Sequence, residues 1–185
     1  APAEPRRGSP GASKGAAAKD EAAPPQSDGS DGLTTVMVRN LPNDYTSEKL
    51  LELLDDKGFH TKYDFVYLPM DFKRKSGLGY AFVNMATNKD ALEAMKALNH
   101  FKAWSLNSHK ELLVDWGTDQ GLKSHLDRYK NSPVMHDEVE KAWKPMYFKD
   151  GIPQEFPTPT KKLRAPRAKM HYGGHYEARD VKNGD

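Results

Sequence analysis

Hydrophobic positions along this chain keep two rhythms, and the places where one gives way to the other mark out the elements. In Val36-Met37-Val38-Arg39-Asn40-Leu41 the repeat is two residues, which predicts a strand with Val36 and Val38 turned to a core and Met37 and Arg39 on the opposite face. Leu41-Pro42-Asn43 then reads as a turn. Thr46 is placed to cap a helix with Glu48 in its first turn, and Leu50, Leu51 and Leu54 recur at helical spacing until Lys57-Gly58. This predicts a helix from about Ser47 to Lys57. Tyr63-Asp64-Phe65-Val66-Tyr67-Leu68 returns to strand rhythm and ends at Pro69. Strict alternation puts Tyr63, Phe65 and Tyr67 on one face and Val66 and Leu68 on the other; a second reading gives Phe65 to the core and leaves only Tyr67 outside. Both stand at this level.

In Leu78-Gly79-Tyr80-Ala81-Phe82-Val83-Asn84-Met85, Tyr80, Phe82 and Asn84 share one face, and Ala81, Val83 and Met85 the other. Thr87 and Asp90 frame a second helix, with Ala91, Leu92, Met95 and Leu98 expected along its buried stripe. Leu112-Leu113-Val114-Asp115-Trp116 supplies a fourth strand, Leu112 and Val114 inward, Leu113 and Asp115 outward. The order is strand, helix, strand, strand, helix, strand. It predicts an α+β domain over residues 33–117, a ferredoxin-like βαββαβ unit whose four-stranded antiparallel sheet carries both helices on one face.

The pattern continues past the fourth strand. Leu122, His125, Leu126 and Tyr129 keep helical spacing up to Asn131-Ser132-Pro133, and Pro133 suits the first turn of a further helix in which Met135, Val139, Ala142 and Trp143 share a face. Pro145 ends it, and Met146-Tyr147-Phe148 before Asp150-Gly151 reads as a short strand and turn. Trp143, Tyr147, Phe148 and Phe156 are too apolar for a free linker, so residues 118–157 form a helical extension packed back on the domain, either buttressing the sheet or covering it. Residues 1–32 hold no aromatic or branched aliphatic side chain and read as a disordered tail, with Arg6 and Arg7 solvated among acids. Residues 158–185 turn basic and proline-rich, with Lys161, Lys162, Arg164, Arg167 and Lys169 close together. Such a tail adds salt-sensitive affinity for nucleic acid, serves nuclear import, or simply solubilises.

Composition narrows the chemistry. The chain of 185 residues balances 28 basic against 26 acidic side chains, so net charge alone indicates no nucleic-acid partner. It contains no cysteine, which excludes disulfides, thiolate zinc sites and thiol nucleophiles and suits an intracellular protein of nucleus or cytoplasm. No apolar run approaches the roughly 18 residues of a membrane span, and the start carries no signal-peptide pattern. Opening on Ala1, the chain reads as a piece of something longer. The histidines His60, His100, His109, His125 and His136 fall in unrelated elements, and no nucleophile, base and orienter recur together, so an enzyme is not expected. His171 and His175 have a metal-like spacing without further ligands and read as surface residues; no cofactor or small-molecule substrate is expected.

What remains is the face shared by Tyr80 and Phe82. A ring exposed on a sheet stacks with an unpaired base for about 1 to 3 kcal/mol, with little regard to base identity. Gly79-Tyr80-Ala81-Phe82-Val83 resembles the third-strand signature of RNA recognition motifs, with Leu78 in place of the basic residue and Met85 in place of the last aromatic. Val36 to Leu41 resembles the companion first strand, with Met37 where an aromatic is usual; its polarizable thioether still packs against a base. Between the second and third strands, Met70-Asp71-Phe72-Lys73-Arg74-Lys75-Ser76-Gly77 sets three adjacent cations beside that face, where they would hold phosphates.

Three separated blocks narrow the resemblance further. Thr34 to Asn43, Tyr63 to Lys73 and Gly79 to Asn84 closely resemble the C-terminal RNA recognition motif of the Mei-two-like meiotic regulator family, and the likeness runs on through Gln120-Gly121, Asn131-Ser132 and Pro145-Met146-Tyr147-Phe148. It covers roughly residues 34–157. In that family the domain binds RNA, and Met at the position of Met37 is usual, so the resemblance implies roles for Met37, Arg39, Tyr80 and Phe82. The expectation is a non-catalytic module for single-stranded RNA, serving post-transcriptional regulation. Tyr67, Tyr80 and Phe82 stack bases with Met37 beside them, Arg39 and Asn84 make polar contacts, and Lys73, Arg74 and Lys75 hold phosphates. The alternative is a protein-interaction domain whose sheet is covered by the extension or by a partner.

Overall fold

Both long helices begin where a threonine turns back to cap them. Thr46 Oγ1 accepts the Lys49 N–H at 3.2 Å, and Thr87 Oγ1 accepts the Asp90 N–H at 3.1 Å while its hydroxyl donates to the Asp90 carboxylate at 2.6 Å, a reciprocal cap. In the computed structural model, which describes residues 32–167, the elements are β1 (Thr35–Arg39), α1 (Ser47–Asp56), β2 (Tyr63–Tyr67), β3 (Met70–Asp71), β4 (Ser76–Gly77), β5 (Tyr80–Met85), α2 (Asn88–Leu98), β6 (Leu113–Trp116), α3 (Leu122–Tyr129), β7 (Met146–Lys149) and β8 (Ile152–Gln154). Arg6, Arg7, Lys169, His171 and His175 lie outside the described residues, as does nearly all of the N-terminal tail.

The ferredoxin-like core is present, with β1 central and antiparallel to both β5 and β6, and β5 antiparallel to β2. The sheet is wider than four strands. Phe65 pairs with Tyr147, so β7 adds beside β2 and β8 beside β7, giving the order β6-β1-β5-β2-β7-β8. The extension thus contributes two strands as well as helix. Strands β3 and β4 form a separate small hairpin.

One face of the sheet packs on α1 and α2 through Val36, Val38, Ala81, Val83, Leu50, Leu54, Ala91, Ala94 and Leu98, all fully buried. Leu92, expected in that stripe, is 44% exposed. Ala91, Ala94 and Leu98 hold one line on α2, and Leu92 lies about 100° around the helix from Ala91. Small alanines bring the helix close enough to the sheet that a larger neighbour is not needed.

Two further expectations are corrected. Tyr63 does not share a face with Phe65 and Tyr67. A bulge sets both Asp64 and Phe65 against Asn84, so Tyr63 pairs with Met85 on the helix side. There it meets Phe148 edge-on at 5.2 Å and donates its hydroxyl to Asp55 at 2.8 Å. The bulge spares Asp64 a place in the apolar core. Nor does a helix follow Pro133. The segment makes two single 3-10 turns, Pro133–Met135 and Lys141–Trp143, because His136 and Glu140 adopt extended ψ angles of 149° and 136°. The His136 ring also takes the Glu138 N–H that a helix would have used. Met135, Val139 and Trp143 nevertheless converge on one cluster.

Candidate nucleic-acid interface

The second face of the sheet carries the residues expected to meet RNA, and strand pairing aligns them. Arg39 lies opposite Tyr80, Met37 opposite Phe82, Tyr67 on the far side of Phe82, and Thr35 and Phe65 flank Asn84. Three rows result: Thr35, Asn84 and Phe65 at one end; Met37, Phe82 and Tyr67 in the middle; Arg39 and Tyr80 at the other, with Leu113 beside Arg39.

The extension covers the first two rows. Helix α3 lays the His125 ring parallel to Phe65, centroids 4.5 Å apart at 11°, and Tyr129 over both Phe65 at 5.7 Å and Tyr67 at 4.9 Å. Val134 and Val139 complete a second core with Met37, Phe65, Tyr67 and Phe82. A base stacks by approaching the face of a ring, and on Phe65 and Tyr67 side chains of α3 already occupy that approach. Tyr67 is 1% exposed, Phe82 and Met37 each 6%. Of the two sequence readings, Phe65 is buried, but in this second core, and Tyr67 is buried with it.

A polar knot holds α3 in place. Gln120 behaves as an extra strand residue: its Oε1 accepts from the Thr34 and Thr35 N–H groups at 2.9 and 2.8 Å, and its Nε2 donates to the Thr35 and Gly117 carbonyls, both at 2.8 Å. Gly121, at φ +88°, then reverses the chain into α3, and its N–H reaches Thr35 Oγ1 at 3.1 Å. Asn84 was expected on an open surface and is instead 2% exposed. Its Oδ1 accepts from the hydroxyls of Thr34 and Thr35, each at 2.7 Å, and its Nδ2 donates to Asp64 at 2.7 Å. Since Thr35 gives its proton to Asn84, it receives one from His125 Nε2 at 2.9 Å. That tautomer leaves His125 Nδ1 bare and without a partner among the described residues. Burial pushes the His125 pKa down to about 4, so the ring is neutral. Burial also raises the Asp64 carboxyl above its ordinary value, against the lowering effect of the Asn84 bond.

The third row is the least covered among the described residues. Arg39 is exposed and ion-paired with Asp115, Leu113 is 42% exposed, and Tyr80 is half-buried, edge-on to Phe82 at 5.7 Å. Lys73, Arg74 and Lys75 project from the β3–β4 hairpin and are exposed. The Asp71 carboxylate shapes that turn by accepting the N–H groups of Lys73 and Arg74 at 2.9 and 3.0 Å, and Lys75 closes it at φ +55°. Lys73 and Lys75 form no ion pair among the described residues, so their charge is directed outward. Sequence reasoning did not foresee the knot of Thr34, Thr35, Gln120 and His125, nor the stacking of Phe72 on Trp143 at 5.6 Å and 11°. The signals for α3 were the helical spacing of Leu122, His125, Leu126 and Tyr129 and the family likeness running through Gln120-Gly121.

Comparison with known proteins gives a family. The family model described as RNA recognition motif 2 matches residues 33–130, beyond β6 and through α3. Protein MEI2-like 3 of Arabidopsis thaliana is 37% identical over 129 residues, 70% of this chain and 16% of that protein. Protein MEI2-like 5 of Oryza sativa subsp. japonica is 40% identical over 120 residues, 65% of this chain and 14% of that one. The chain therefore spans less than a fifth of either relative. Among solved structures, the RNA15 RRM aligns at TM-score 0.41 and 20% identity, covering 48% of this chain and 93% of its own.

Proposed function

The chain belongs to the RNA recognition motif 2 family, and from that premise we propose that it binds single-stranded RNA without catalysis, inside the cell and in the service of post-transcriptional regulation. The binding surface is the open end of the second sheet face: Arg39 and Tyr80, with Lys73, Arg74 and Lys75 on phosphates. Met37, Tyr67, Phe82 and Asn84 support that surface from beneath the cover. The observation that carries this reading is the hairpin, whose three exposed cations are held by a structured turn next to the row of the sheet that is least covered among the described residues. Phosphate contacts of this kind position a strand, and stacking on Tyr80 orients a base. The deeper positions become available only if α3 lifts, which would break the Thr35, Asn84 and His125 knot.

The experiment is titration of a labelled single-stranded RNA at two salt concentrations. It compares the wild type with Lys73→Gln plus Arg74→Gln plus Lys75→Gln, and separately with Tyr80→Ala. Each phosphate-binding cation removed should flatten the slope of log affinity against log salt by about 0.7, so the triple variant should flatten it by about 2. Tyr80→Ala should weaken binding by about 1 to 3 kcal/mol at both salts. Binding unchanged in both variants would move the partner elsewhere, and RNA binding absent altogether would favour a protein partner for the domain.

A further inference from the structure

Between the basic hairpin and the extension lies a cleft of about 340 Å³, lined by Phe72, Trp143, Val139, Pro166, Lys73, Lys75, Glu138 and Glu140. Its size falls near the lower end of ligand pockets, roughly 300 to 1,000 Å³. Three kinds of chemistry meet in it. Phe72 and Trp143 are stacked on each other and both partly buried, so they offer a fixed aromatic wall. Lys73 and Lys75 stand on one rim as outward-facing cations. Glu138 and Glu140 contribute carboxylates on the extension, exposed and without an ion pair among the described residues. Pro166 faces the wall from the basic tail, which is clasped where Asn131 and Thr160 exchange hydrogen bonds, Asn131 Nδ2 to Thr160 Oγ1 and Thr160 N to Asn131 Oδ1, both at 2.9 Å.

Carboxylates are out of place in a surface that only tracks phosphates, since they repel the backbone. They fit a site that reads a base edge. A carboxylate accepts hydrogen bonds from ring N–H and exocyclic amino groups, whereas a uracil edge sets two carbonyl oxygens around its single N–H. We propose that this cleft takes one unstacked guanine of a single-stranded RNA. Trp143 stacks on the base, Glu138 or Glu140 accepts from its ring N–H and amino group together, and Lys73 and Lys75 hold the adjoining phosphates. The site rests on the RNA-binding reading above and deepens it. It also replaces, on the extension, the stacking positions that the extension covers on the sheet.

The test uses the full chain and two labelled octamers, one all uridine and one with a single central guanosine. Wild type should bind the guanosine octamer at least about fivefold more tightly, the lower bound for discrimination by one bidentate pair, since stacking alone favours neither base. Glu138→Gln plus Glu140→Gln should erase that preference while binding the uridine octamer as well as before or more tightly. Trp143→Leu should lower affinity for the guanosine octamer by about fivefold or more. The glutamine pair replaces exposed side chains, so it decides the matter if the Trp143 variant does not fold. Equal binding of both octamers by wild type, or a preference that survives the glutamine pair, overturns the cleft assignment and leaves RNA binding standing. Failure to bind either octamer overturns both.

Discussion

The two faces of the sheet are closed by different chemistry. Against α1 and α2 the contacts are aliphatic, with Val36, Val38, Leu50, Leu54 and Leu98 excluding water and asking for little orientation. Against α3 they are aromatic and pinned by hydrogen bonds, with His125 over Phe65, Tyr129 over Tyr67, and Asn84 and Gln120 fixing where the helix lands. Burial of apolar area is non-directional, so the first face sets stability. Buried polar groups must be paired to avoid a penalty, so the second face sets register.

The comparison breaks most readily on the aliphatic side. Leu54→Ala should cost about 2 to 5 kcal/mol, read as a lower urea midpoint with the whole domain unfolding together. On the other face Asn84→Ala strips partners from the Thr34 and Thr35 hydroxyls and from Asp64, at about 1 to 3 kcal/mol. Its mark should be local, with amides of α3 exchanging faster than those of α1. Equal acceleration in both helices would show that the two faces are not separable.

Acidification sharpens the same contrast. His125 has a folded pKa near 4, below its ordinary 6.5, so its contribution is complete above pH 6.5 and is lost as pH falls toward 4. The slope is at most about 1.4 kcal/mol per pH unit, and His125→Gln should flatten it. Asp64, raised by burial, acts in the opposite sense as pH climbs past its ordinary range, so the difference between wild type and His125→Gln isolates the histidine. A smaller effect belongs to the hairpin: Asp71→Ala frees two N–H groups in an exposed turn and should cost about 0.5 to 1.5 kcal/mol, visible as weaker protection of residues 73–76. Smallest is Asp115→Ala. The exposed pair with Arg39 is worth about 0 to 1 kcal/mol, and releasing Arg39 should tighten RNA binding while the melting temperature hardly moves.

The aliphatic face was plain in the residues themselves. Alternation at Val36 and Val38 and helical spacing at Leu50 and Leu54 are consequences of geometry that any chain obeys. The second face was harder to read because its decisive residues have no period. A bulge at Asp64 reverses the side on which Tyr63 falls, and alternation counted through it misplaces that residue. Asn84, polar in mid-strand, reads equally as a solvent contact or a buried hub, and only the positions of Thr34, Thr35 and Asp64 decide. His125 and Tyr129 did keep helical spacing, yet nothing in spacing says which surface a helix covers. For the candidate site, the hairpin cations were legible because three adjacent charges are a local feature. The Phe72 and Trp143 stack joins residues far apart in the chain and was not.

The central claim is that the extension stays on the sheet while the open end and hairpin engage RNA. Backbone amide spectra recorded during titration with a single-stranded RNA octamer test it directly. The account predicts shifts at Arg39, Tyr80 and residues 70–77, with the α3 amides of His125 and Tyr129 unmoved and still protected from exchange. Large shifts at Phe65, Tyr67 and Phe82, with loss of protection throughout α3, would mean that RNA displaces the cover and stacks on the sheet beneath.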